Sequence, residues 1–275
     1  MFIAAQMPSQ PPTLFVIATH LSEQGGCWLF AKTLLTVRRF HPFVANPILV
    51  ADNDSAPGSV AAVLAAVRLR NVHVQRRVPS LALASAWEAA DAFLQSRHRA
   101  VRHVARVVTL QHSTALHQPV PVHDGECVGL ALAGSYAAAP TPSAAKKRLW
   151  MRRSVAAAWA RGVISHMAVA KRIHWEPALH FATAIVAGDR GWGRLRALGL
   201  WGPRLSSAGS AFRDRNWSRT SRGGGFEMVA GFVLAHLNGA NNATRCVAQL
   251  RHSILLKQHD LGHLLNESAA PAATC

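Results

Sequence analysis

The feature that most restricts the fold is a change of hydrophobic period that recurs through the first 112 residues. Leu14-Phe15-Val16-Ile17-Ala18 is a short continuous apolar run behind Pro11-Pro12, the pattern of a strand buried on both faces. Ser22 to Phe40 then carries Trp28, Leu29, Leu34, Leu35 and Val37 with Lys32 and Arg38 between them, an amphipathic helix with Ser22 placed to cap it. The alternation continues with a strand at 48–53, a helix at 59–69 behind the Pro57-Gly58 turn, a strand at 71–76, a helix at 83–95 and a strand at 106–112. Strands alternating with helices predict a mostly parallel, Rossmann-like α/β sheet with right-handed crossovers and helices on both sides. Ligands of such sheets bind beyond the carboxyl ends of the strands. Three segments end there: Thr19-His20, Asp52-Asn53-Asp54-Ser55 and Gln111-His112-Ser113.

The second half is less regular. Strands are predicted at 127–134 and 180–187, a basic helix at 144–163, a short helix at 192–198 closed by Gly199, and two helices at 226–237 and 244–265. With no internal repeat and no linker, one domain spans 13–265, with a first half at 13–120 and a second half at 121–265. Residues 1–12 read as a disordered start and 266–275 as a flexible tail.

Two acids at the Asp52–Ser55 corner are conspicuous in a chain with only 13 Asp and Glu against 30 Lys and Arg. They read either as caps of the following helix, which Asp and Ser supply in any fold, or as groups facing a crevice. The formal charge of +17 favours anionic partners, although the basic residues are scattered in pairs such as Arg76-Arg77. Cys27, Cys127, Cys246 and Cys275 lie far apart with no C-x-x-C, a pattern that argues against a zinc ribbon or disulfide scaffold and reads as buried or inert free thiols. No basic signal region and no membrane span is evident, which predicts a soluble, cytoplasmic protein without stable membrane insertion. Asn53, Asn216, Asn242 and Asn266 sit in glycosylation sequons.

Taken together, Thr19-His20, the corner Asp52-Asn53-Asp54-Ser55 after ILVA, and Leu110-Gln111-His112-Ser113 resemble the nucleotide-sugar half of GT-A fold glycosyltransferases, closest to the family-2-like members. That resemblance implies a nucleotide-diphospho-sugar transferase fold binding a nucleotide sugar, a UDP-sugar foremost, and an acceptor the sequence does not name. Asp52 would accept a hydrogen bond from the base, because a site built around a base N–H rejects bases without one. Asn53 and Ser55 would shape the turn, and Asp54 stands where the family often has glycine. The family also implies a magnesium or manganese ion held by a D-x-D pair. Here that slot reads Gln111-His112-Ser113, so the metal-binding acids are missing and the expected metal ligands are none. Glu227 after Gly223-Gly224-Gly225, and Asp189 second, are candidate bases for the acceptor hydroxyl, each also explicable as a helix-terminal acid.

Two other classes stay open on the sequence. One is a catalytically inactive GT-A-like binding or scaffold protein, which the degenerate D-x-D favours. The other is a basic anion- or RNA-binding protein using the helix at 144–163, although its Leu149, Trp150, Val155 and Trp159 suggest a partly buried face. The eight tryptophans read first as packing, with Trp192 and Trp201 a second choice as the floor of an acceptor site.

Overall fold

The computed structural model describes residues 12–22, 24–42, 46–77, 83–96, 98–112, 114–116, 119–120, 129–133, 182–188, 192–193, 196, 247–249 and 255–256. The continuous apolar runs become the inner strands β1 (Thr13–Thr19), β2 (Ile48–Asn53) and β4 (Arg106–Gln111), and the alternating segment VHVQRR becomes β3 (Val72–Arg77). Every residue of β1 and β2 is buried, whereas β3 is half exposed. The contrast follows from position: β3 pairs with β2 and closes the sheet on that side. Strands β6 (Gly129–Ala133), β7 (Ala182–Gly188) and β8 (Val247–Gln249) complete a seven-stranded sheet of order β3-β2-β1-β4-β7-β6-β8. Only β7 runs against its neighbours. The α/β expectation of a mostly parallel sheet flanked by helices is what the structure has. A separate pair, β5 (Ala115–Leu116) and β9 (Leu255–Leu256), is antiparallel.

The pleat divides the strands between two helix layers. Phe15, Ile17, Ile48, Val50, Val108 and Leu110 pack with α1 (Gln24–Phe40) and α2 (Ser59–Val67) in one buried cluster. The other face meets α3 (Leu83–Gln95), whose Ala86, Trp87 and Ala90 are fully buried. Trp87 stacks on Trp192 with ring centroids 5.4 Å apart. Asp91 accepts from Trp192 Nε1 at 3.1 Å and from Arg196 Nε at 2.6 Å, pinning that turn to α3. Trp192, 3% exposed, is therefore core and not the floor of an acceptor site.

Three further expectations change. The helix predicted at 244–265 contains β8 and β9, because pairing with β6 and β5 outweighs an apolar spacing that also suits a helix. Cys27, buried in α1, is disulfide-bonded rather than a free thiol, and its partner lies outside the described residues. The corner acids do not cap α2: its N-cap is Gly58, at φ 80° and without a side-chain cap. The basic helix at 144–163, the helix at 226–237 and Trp201 lie outside the described residues. Among the described residues no helix is long and apolar enough to cross a membrane.

Candidate functional site at the carboxyl ends of the strands

Strand order reverses beside β1: β2 and β3 follow on one side of it, and β4 returns on the other. A crevice opens at such a reversal because the two crossovers leave in opposite directions. The parallel register sets Thr19 opposite Asp52 and Ala18 opposite Gln111. Asp52 in turn lies opposite Arg76, and Asn53 opposite Arg77. Thr19, His20, Asp52, Asn53, Asp54, Ser55, Gln111 and His112 are thus brought to one rim. Ser113, Asp189 and Glu227 lie outside the described residues.

The two loops of this rim are bonded to each other. His20 Nδ1 donates to the Asn53 carbonyl at 2.7 Å, which fixes the proton on Nδ1 and leaves Nε2 for other partners. The Leu21 amide donates to Ser55 Oγ at 2.9 Å, and the Ala56 amide to the Leu21 carbonyl at 2.9 Å. Asp52 Oδ1 accepts from the Ser55 amide at 3.0 Å, so the carboxylate closes its own turn. Its Oδ2 lies 3.9 Å from Arg76 Nε. Arg76 also reaches the Ser55 carbonyl at 3.2 Å and Asp54 at 3.6 Å. Asp54 holds a left-handed φ of 61°, a conformation that Asp tolerates better than most residues other than glycine.

On the β4 side the His112 amide donates to the Ala18 carbonyl at 2.9 Å. Thr33 of α1 donates to the His112 carbonyl at 2.7 Å, and Thr36 Oγ1 accepts from the Leu116 amide at 3.0 Å. Burial pushes the His112 imidazole below its usual pKa and His20 pushes the same way, while a bond to the Ala18 backbone opposes them. A neutral His112 can exchange hydrogen bonds with hydroxyls but cannot balance a diphosphate. Two buried oxygens at the rim, Thr19 Oγ1 and Asn53 Oδ1, have no hydrogen-bond partner among the described residues. Such groups are rare in folded proteins and call for a ligand or a water.

Gln111 and His112 offer no carboxylate, and no group of three His, Cys, Asp or Glu among the described residues could hold a metal ion. The neutral oxygen of Gln111 and the imidazole of His112 are poor ligands for magnesium or manganese, which prefer carboxylates. Asn53 is 2% exposed, so its sequon cannot carry a glycan in the folded chain. Arg76, Thr33 and Thr36 belong to this rim without having been singled out for it in the sequence. Only the pairing of β2 with β3 and the packing of α1 reveal them.

No family model and no curated protein matches the sequence. Solved structures do. The galactosyltransferase LgtC, in complex with donor and acceptor sugar analogs, is 12% identical, with 80% of this chain and 69% of that one covered at a TM-score of 0.40. Mouse xyloside xylosyltransferase 1 is 10% identical over 88% of this chain and 85% of its own, at 0.42. Core-mannan synthase A from Aspergillus fumigatus, in a Mn/GDP form, is 12% identical over 92% and 76%, at 0.38.

Proposed function

We propose that the chain is a glycosyltransferase-like protein that binds a nucleotide sugar, a UDP-sugar foremost, at the carboxyl-end rim between β1 and β4. The observation that supports this most is the reversal of strand order at that point, with Thr19, His20, Gln111 and His112 on either side, Asp52 on the adjoining strand and Ser55 in the turn after it. Asp52 would take the base N–H with Oδ2, its Oδ1 already holding the turn. His20 Nε2 and His112 suit ribose or sugar hydroxyls. Diphosphate charge would fall to Arg76 and to basic side chains elsewhere in a chain of net charge +17.

In an active protein the acceptor oxygen would bond to the anomeric carbon as the bond to the nucleoside diphosphate breaks. The acceptor proton would pass to a carboxylate, Glu227 before Asp189. One observation favours the second reading, a binding protein without transferase activity: Gln111-His112 occupies the place of the metal-binding acids. The Cys27 disulfide favours an oxidising compartment over the cytoplasm.

Calorimetric titration with UDP and GDP tests the binding. Asp52→Asn keeps an acceptor for the Ser55 amide and removes the charge, so UDP affinity should fall roughly 10- to 100-fold with the fold intact, the loss of one charge-assisted bond. Unchanged UDP affinity in that variant would remove Asp52 from the site. UDP binding without sugar transfer or donor hydrolysis would select the second reading.

A further inference from the structure

At the opposite end of the sheet, an open cleft of about 590 Å³ is lined by Pro12, Asn71, Val72, His73, His98, Arg99, Ala100, His103 and Val104. We propose that this cleft binds a small phosphate-bearing molecule through His73, His98, Arg99 and His103. The site is independent of the nucleotide rim, lying at the amino ends of the same strands, roughly 20 Å away along β1.

The polar side chains that line the cleft are three histidines, Arg99 and Asn71, and no acidic residue lines it. His98 Nδ1 accepts from the Ala100 amide at 3.2 Å, so its proton sits on Nε2, which can donate. Arg99 follows it in a three-residue 3-10 turn and adds a permanent charge. His73 Nε2 donates to Asn71 Oδ1 at 2.9 Å, so its Nδ1 becomes a donor only when the ring is protonated. The remaining functional groups match an anion. They do not match a cation, and among the described residues no three of these side chains converge as metal ligands.

The walls select for more than a bare ion. The His73 and His98 rings meet at 4.8 Å, and each packs on Phe93, at 4.9 and 5.4 Å. Pro12, Val72, Ala100 and Val104 supply apolar surface. A volume of several hundred Å³ with a few convergent polar groups is the ordinary size of a small-molecule site.

Burial, and then His98, hold the His73 imidazole below its usual pKa and so favour its neutral form. The other charges nearby are Arg99 and Arg38, whose guanidinium donates to the Arg70 and Asn71 carbonyls behind the cleft. Burial and His98 therefore oppose protonation of His73, and the charge of an anion in the cleft would offset them. By reciprocity, anion binding and imidazole protonation strengthen each other.

Titration of the full chain with sulfate, whose charge is constant across the range, and with inorganic phosphate tests the site between pH 7.5 and pH 5.5. Sulfate affinity should rise about 3- to 10-fold per pH unit on acidification, one coupled proton giving at most tenfold. His98→Gln with Arg99→Gln should weaken both anions by at least about tenfold, the loss of two charge-assisted donors. Both residues are exposed, so the double variant should keep its melting temperature and its UDP affinity. Asp52→Asn should leave sulfate binding unchanged, which separates this site from the nucleotide rim. Sulfate affinity indifferent to pH, retained by the double variant, or undetectable at tens of millimolar would overturn the proposal.

Discussion

At the carboxyl rim the polar side chains are turned on one another: Asp52 on Ser55 and Arg76, His20 on the Asn53 carbonyl, Ser55 on the Leu21 amide. At the amino rim of the same sheet the bases are either sealed in the core or left open in a cleft. Arg106, 2% exposed, donates to Thr13 Oγ1 at 2.5 Å, and His41, fully buried, lies 4.7 Å from the Phe15 ring. The difference is one of sign. The buried carboxylate Asp52 sits where the amides of a βα turn can satisfy it. Of the buried bases, Arg106 meets a hydroxyl oxygen where β1 and β4 begin, and His41 accepts from the Val120 amide. One rim thus spends its described polar groups on bracing its own loops, while the other presents part of its base set to an open cleft.

The largest effect that distinguishes the rims should come from acid. Burial first, and then Arg106, depress the His41 pKa to about 4 from an unfolded value near 6.5. Its Nε2 accepts from the Val120 amide at 3.0 Å, a bond that protonation abolishes. Between pH 6.5 and 4 the unfolded chain binds a proton that the folded chain refuses. The stability His41 contributes is therefore whole above about pH 6.5 and is lost as pH falls toward 4, to a total on the order of 3 kcal/mol. Urea unfolding at pH 7 and pH 4.5 measures it. His41→Gln retains an acceptor and should flatten that acid limb, and equal acid sensitivity in the variant would move the effect to other groups.

A smaller effect tests the carboxyl rim. Asp52→Ala leaves the buried Ser55 amide without its acceptor and should cost about 1–3 kcal/mol. Asp52→Asn keeps that acceptor and should cost less than about 1 kcal/mol. If the two variants unfold alike, the carboxylate stabilises the corner by its charge, through Arg76, and not by closing the turn.

The parts of this fold written in local period were legible in the sequence. Continuous apolar runs gave β1, β2 and β4 within a residue or two, and the amphipathic stripe around Trp87 gave α3 with its observed bounds. The convergence of Thr19, Asp52 and Gln111 on one rim followed from strand order alone. What escaped was non-local. Arg76 joins the corner only through the β2–β3 register, and His73 meets His98 only because α3 carries the chain across and back. Strands of two or three residues, such as β8 and β9, are too short to hold a period against a helical one. The pairing of Cys27 has no spacing that announces it. By type the corner acids suit crevice groups or helix caps, whereas Asp52 braces its own turn, a use that its sequence context does not reveal.

The smallest effect should be the most discriminating for the proposed nucleotide rim. Arg76 is about half exposed, at 47%, and its contacts to Asp52 and Asp54 are long, at 3.9 and 3.6 Å. Pairs of that kind contribute roughly 0–1 kcal/mol, so Arg76→Gln should leave stability nearly unchanged. The same side chain is the nearest described cation to the corner where a base and diphosphate would lie. Removing it should weaken UDP more than uridine and reduce the salt dependence of UDP affinity, since an exposed charge acts on a phosphate through a screened field. Paired titrations of UDP and uridine at two salt concentrations read this out. A variant that loses both ligands equally would show that Arg76 shapes the turn through the Ser55 carbonyl and does not meet phosphate.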